Sequence, residues 1–128
     1  PYLLLPVTSS GLASARQIRS VSSLLSSVGA DFVYLMDVDS LEGRTWDAYG
    51  VVEDAATGSA AGPVAAWRVS QGLNTKGEPF SLNQGRFLER PSILDVEIDQ
   101  NSNVFVGGNV HIISGGKILL NADRLSTV

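Results

Sequence analysis

The chain has 128 residues, 44% of them hydrophobic and 17% charged, with a net charge of −4 and an isoelectric point near 4.8. Those figures describe one packed domain with a single core and exclude both a disordered tail and a basic nucleic-acid surface. The absence of cysteine removes disulfide staples, thiolate zinc sites and thiol catalysis, and fits a reducing, cytoplasmic compartment.

Tyr2 to Val7 reads as a buried strand, followed by a Thr8-Ser9-Ser10-Gly11 turn. The stretch Pro1 to Val7 is too short and too weakly basic at its start to act as a signal peptide. No apolar run reaches the ~20 residues that span a bilayer. The first residue is Pro1 and the sole methionine is Met36, which fits either a processed start or a fragment of something longer. Leu12, Ala15, Ile18, Val21, Leu24, Leu25 and Val28 recur at three- and four-residue spacing. That pattern predicts an amphipathic helix, broken at most once, with Gly29 as its stop. Phe32 to Met36 is rich in strand formers and ends in an Asp37-Val38-Asp39-Ser40 turn; Arg44-Thr45-Trp46 belongs to the next strand.

Glu53-Asp54-Ala55-Ala56-Thr57-Gly58-Ser59-Ala60 is the segment with chemistry in it. A pair of carboxylates runs into a small-residue loop, and the loop opens an apolar helix over Ala60 to Val69. The first amides of a helix have no internal acceptor and carry partial positive charge, so they form an anion cradle. Asp54 places a proton-carrying group beside it. Glu53 reads as structural, because neighbours on an extended segment point to opposite sides. Gly58 and Ser59 also serve as plain capping residues; capping and anion binding draw on the same donors. The helix has no polar face, which predicts burial on all sides. Pro63 falls in its first turn, and Gly72 closes it.

Downstream, Leu94, Val96 and Ile98 alternate with Asp95, Glu97 and Asp99 in a half-exposed strand. The three acids read as a solvated face rather than a metal site, since no histidine or cysteine joins them. Asp99 to Asn103 turns into Val104-Phe105-Val106, and Gly107-Gly108 marks a bulge or turn before a strand over Val110 to Ile113. Ser114-Gly115-Gly116 then leads a hairpin into Lys117 to Leu120. His111 reads as a packed or surface strand residue, Trp46 and Trp67 as core or interface residues, and Arg90 as the partner of a carboxylate in the turn before Pro91. The sum is an α+β domain: an antiparallel, strongly curved sheet wrapped round one central apolar helix.

The octapeptide from Glu53 to Ala60 closely resembles the E-D-P-A-T-G-S-A signature of the phenazine-biosynthesis isomerase (PhzF-like) family. Pro1 to Val7 resembles the strand opening the second half of those proteins, Glu89-Arg90-Pro91-Ser92 their G-R-P-S segment, and Val106-Gly107-Gly108 their V-G-G segment. The resemblance implies that residues 1–128 form the second of two similar domains of a diaminopimelate epimerase-like fold. It implies cofactor-independent, metal-free proton transfer at carbon on a small carboxylate-bearing substrate. One proton-shuttling glutamate would lie in a first domain, the expected partner. Asp54 matches the second-domain catalytic carboxylate, and Thr57, Gly58 and Ser59 the positions that grip the substrate carboxylate. Epimerase relatives carry a catalytic cysteine near the position of Thr57, and threonine cannot act as a thiolate base.

Three departures stand out. Ala55 replaces a proline, Glu89 replaces a glycine, and the first domain is missing. If the glycine replaced by Glu89 needs positive φ, the local turn must differ. One wall of a two-walled site cannot orient a substrate, and orientation supplies as much as ~7–11 kcal/mol of a barrier, so this chain alone is expected to be inactive. The alternative is a non-catalytic remnant that binds small anions or self-associates, for instance as a homodimer, through an exposed apolar face.

Overall fold

Parallel neighbours in a sheet need long crossovers, and this chain supplies two of them. The computed structural model describes residues 1–117. Its strands are β1 (Tyr2–Val7), β2 (Phe32–Asp37), β3 (Glu42–Asp47), β4 (Phe80–Gln84), β5 (Ser92–Ile98) and β6 (Val104–Gly107), joined in one sheet in that order. β1–β2 and β3–β4 are parallel, while β2–β3, β4–β5 and β5–β6 are antiparallel. The sheet is therefore mixed, not antiparallel as expected. Residues 8–31 form the first crossover, with helices α1 (Ser9–Ser14) and α2 (Ser22–Ser27). Residues 48–79 form the second, with α3 (Gly58–Ser70).

The expected turn at Thr8 is instead a helix start, the Thr8 hydroxyl accepting from the Gly11 N–H at 3.1 Å. Helix α1 stops at Ala15, whose backbone is extended. The carbonyls at its end find a donor outside the helix: Arg44 Nη1 donates to the Leu12 and Ala15 oxygens at 2.9 and 3.0 Å. That capture accounts for the single break, and it leaves Ile18, counted on the packing face from its spacing, 85% exposed. Of the apolar residues in that series only Leu12 and Leu25 are fully buried. Gly29 does end α2, at φ +68°, with the Ala30 N–H returning to the Leu25 oxygen at 2.9 Å.

Side chains alternate across β2, and its two sets enter separate cores. Tyr34 and Met36 join Ala60, Ala61, Val64 and Ala65 of α3 with Leu82, Leu94, Val96 and Ile98. Val33 joins Leu25, Ala30 and Trp46 on the other side. The phenol of Tyr34 lies over Gly43 on the neighbouring strand, where any Cβ would collide with it. β1, expected to be buried, is an edge strand with no fully buried residue, which is where Pro6 is tolerated.

Two expectations about α3 change. The helix begins at Gly58, so Pro63 sits in its second turn and leaves the Ser59 carbonyl without its helical donor. Burial is also incomplete, since Ser59, Pro63, Ala66 and Ser70 form an exposed stripe. Gly72 closes the helix at φ +70°, with Leu73 N–H to the Arg68 oxygen at 2.9 Å.

The alternation over Leu94 to Asp99 holds, with Leu94, Val96 and Ile98 inward. Asp95 accepts from Ser81 and Asp99 from Asn103. Val110 to Ile113, expected as a strand, pairs with no strand among the described residues and is exposed, because the chain leaves β5 at Gly107. His111 accordingly stands outside every described strand. The expected partner strand Lys117 to Leu120 lies, past Lys117, outside the described residues. Glu89 keeps the turn it was expected to lose by adopting positive φ itself, at +56°. Arg90 is exposed and, among the described residues, pairs with no carboxylate. No described helix is long and apolar enough to cross a membrane.

Candidate active site

After β3 the chain reverses over residues 48–52. Asp47 Oδ1 holds that turn by accepting from the Val51 and Val52 amides at 2.8 and 3.3 Å. The returning segment lies extended against β3, with Glu53 bridging Trp46 and the Asp54 N–H reaching the Thr45 oxygen at 3.3 Å. Extended backbone sends consecutive side chains to opposite sides. Glu53 turns inward and grips Arg44 bidentately, Nε–Oε1 at 2.7 Å and Nη2–Oε2 at 2.9 Å. The guanidinium stacks between the rings of Trp46 and Phe87, 4.6 and 4.3 Å from their centroids. Asp54 turns the other way, towards solvent.

Both oxygens of Asp54 are acceptors. Oδ1 takes the Ala56 N–H at 3.3 Å, and Oδ2 takes the Thr57 hydroxyl at 2.9 Å. Thr57 is buried and its own polar groups are occupied: its N–H donates to Gln84 Oε1 at 3.3 Å and its hydroxyl oxygen accepts from Gln84 Nε2 at 2.8 Å. The Gly58 and Ser59 amides, by contrast, open α3 with no acceptor among the described residues, and no side chain caps the helix. The Ser59 hydroxyl is shared with the Tyr2 phenol at 2.7 Å.

Asp54, Thr57 and Ser59 line one hollow of about 390 Å³. Its apolar side is built from Trp46, Val52 and the rings of Tyr2 and Phe32, which stack at 5.4 Å with 28° between their planes. Asp47 and Thr45 complete the polar side. Among the described residues neither Lys nor Arg lines the hollow, so the positive partners they offer an anion there are peptide dipoles. Gly58 is not among the walls; its nearest neighbour across the helix is Val106.

A family profile described as "Phenazine biosynthesis-like protein" matches residues 21–116. The chain belongs to the PhzC-PhzF family. It is 41% identical over 88 residues to the trans-2,3-dihydro-3-hydroxyanthranilate isomerase of Pseudomonas fluorescens, covering 61% of this chain and 32% of that protein. It is 37% identical over 84 residues to "Antisense-enhancing sequence 1" of Schizosaccharomyces pombe, covering 62% of this chain and 28% of that one. A solved structure titled as a predicted epimerase from Pseudomonas aeruginosa superposes with a TM-score of 0.86 at 57% identity, covering 94% of this chain and 43% of that chain. The chain thus spans about a third of the length of the curated PhzC-PhzF relatives it matches. The α+β class and the epimerase-like fold follow from that superposition.

Spacing alone did not reveal Gln84 or Tyr34, which stand behind the loop, nor the aromatic wall of Tyr2 and Phe32. Gln84 left one usable trace. In Phe80-Ser81-Leu82-Asn83-Gln84 it follows the inward residues at a two-residue period, which places a polar amide at a core position. Such a group must find partners.

Proposed function

We propose that this chain is the second domain of a cofactor-independent isomerase and supplies one wall of an interdomain proton-transfer site for a small carboxylate-bearing substrate. Asp54 handles the proton. The unpaired Gly58 and Ser59 amides hold the substrate carboxylate, with Thr57 behind them, so that the reacting C–H bond is presented to the Asp54 carboxylate. The observation that carries the reading is the shared hollow: Asp54, Thr57 and Ser59 line the same 390 Å³. The isomerase relatives support the reaction class. A first domain would close the hollow, exclude water and bring the second proton-carrying group. We also infer that the sheet curls round α3, since both edge strands reach it: Tyr2 of β1 through Ser59, and Val104 of β6 across Gly62.

The test is a protein extended by the upstream domain, given trans-2,3-dihydro-3-hydroxyanthranilate in D2O without added cofactor. Isomerisation with deuterium incorporation is expected, and no turnover from the 128-residue chain. Asp54→Ala should lower kcat by about 10²–10⁴-fold; full retention of activity removes Asp54 from the mechanism.

A second reading, the self-associating module, draws on a different observation. All four residues of β6 are exposed, and one edge of that strand is unpaired among the described residues. Sedimentation of the 128-residue chain checks it: dimers weakened by Phe105→Lys favour association through this edge, and a monomer at every concentration ends the reading.

A further inference from the structure

We propose that Gln84 is a positioning residue of the Asp54 site: it dictates which way the Thr57 hydroxyl points and thereby holds the Asp54 carboxylate in place. The inference rests on the reading of Asp54 as the proton-handling group, but its geometry is independent of any substrate.

Gln84 is 1% exposed and comes from β4, far in sequence from the loop it serves. Its amide touches two groups of fixed polarity. The Thr57 N–H can only donate, and it meets Oε1 at 3.3 Å; the Asp54 main-chain oxygen can only accept, and it meets Nε2 at 2.7 Å. Those two contacts fix which end of the amide is oxygen and which nitrogen. The second Nε2 hydrogen then goes to the Thr57 hydroxyl oxygen at 2.8 Å. A hydroxyl that accepts from Gln84 must send its own proton elsewhere, and Asp54 Oδ2 receives it at 2.9 Å. The chain of polarity therefore runs one way, from Gln84 through Thr57 to Asp54.

Gln84 is itself held. Tyr34, fully buried on β2, donates its phenol to Oε1 at 3.3 Å, and burial pushes that phenol far above its usual range, so it stays a donor. Both donors and both acceptor positions of the Gln84 amide are filled. Gly85, at φ +83°, runs so close to the Arg90 carbonyl and to the Ala55 carbonyl of the loop that no side chain fits there. Thr57 thus belongs to the support of the carboxylate, and substrate contact falls to the amides beyond it.

Two experiments decide the matter. In the labelled 128-residue chain, Thr57 is expected to hold one χ1 rotamer and to show a slowly exchanging hydroxyl proton. Gln84→Met should average the rotamer and abolish that signal while the Leu82 and Val96 amides keep their shifts. A Thr57 unchanged in Gln84→Met overturns the proposal, however the activity reading fares. In the domain-completed protein with the same probe, Gln84→Met should lower kcat about 10- to 100-fold with little change in KM. Thr57→Val should match it, and the double variant should be no slower than the worse single. Additive losses, or a loss confined to KM, overturn it. Should Gln84→Met fail to fold, Gln84→Leu replaces it: that side chain has neither donor nor acceptor, and an unmoved Thr57 there counts equally against the proposal.

Discussion

Burying the Arg44 guanidinium strips it of water, and the bidentate Glu53 carboxylate together with two helix-end carbonyls offsets that loss. Removing Glu53 leaves a buried cation unpaired, so Glu53→Ala is expected to destabilise the chain by about 3 kcal/mol in urea unfolding. Asp54→Ala, one residue away and facing solvent, should change stability by less than about 1 kcal/mol. Adjacent acids are thereby separated by assay, one through stability and the other through turnover. Glu89 supplies a contrary case. A non-glycine residue at φ +56° carries about 1 kcal/mol of local strain, and Glu89→Gly should raise the unfolding free energy by roughly that amount. An unchanged urea midpoint would mean that the turn holds glutamate without strain.

Helix α3 brings Ser59 to the hollow and accepts an internal proline. Pro63 is exposed and costs the helix a hydrogen bond, so Pro63→Ala is expected to stabilise by about 1–3 kcal/mol, read from thermal unfolding. Sequence made this element legible because apolar residues and the glycine stop announce it, though not where it starts or which stripe it exposes. β5 was legible for a simpler reason: Leu94, Val96 and Ile98 alternate with acids. β4 left only a faint trace, since Ser81, Asn83 and Gln84 are polar and only Leu82 and Gln84 are buried. The parallel pairings were hidden because they depend on which distant strands meet, which no local period encodes. At the candidate site, Asp54, Thr57 and Ser59, which line the hollow, come from one contiguous motif. Gln84 was not legible there, because it comes from another strand and acts through a hydrogen bond.

Acid should loosen the whole molecule through Asp37, whose carboxyl the Ser40 and Ser9 hydroxyls hold below the usual carboxylate range. A carboxyl lowered by folding adds stability that is fully present above its unfolded value of ~3.9 and is lost as pH falls through the native value. Asp37→Asn is therefore expected to be less stable near neutrality and to show a flatter decline in urea midpoint below about pH 4. The sheet also has a narrow waist. Among the described residues its first three strands and its last three pair at only two facing positions, Glu42 with Asn83 and Gly43 with Gln84, braced by the Arg86–Glu42 ion pair and by the core beneath. Separation along that waist would leave the first leaf its antiparallel β2–β3 pair with parallel β1, and the last leaf its two antiparallel pairings. It would pull Gln84 from both Tyr34 and Thr57, so the loop carrying Asp54 can open before the molecule unravels. Deuterium uptake in mild urea should therefore reach the Thr57 amide well before the Val96 amide.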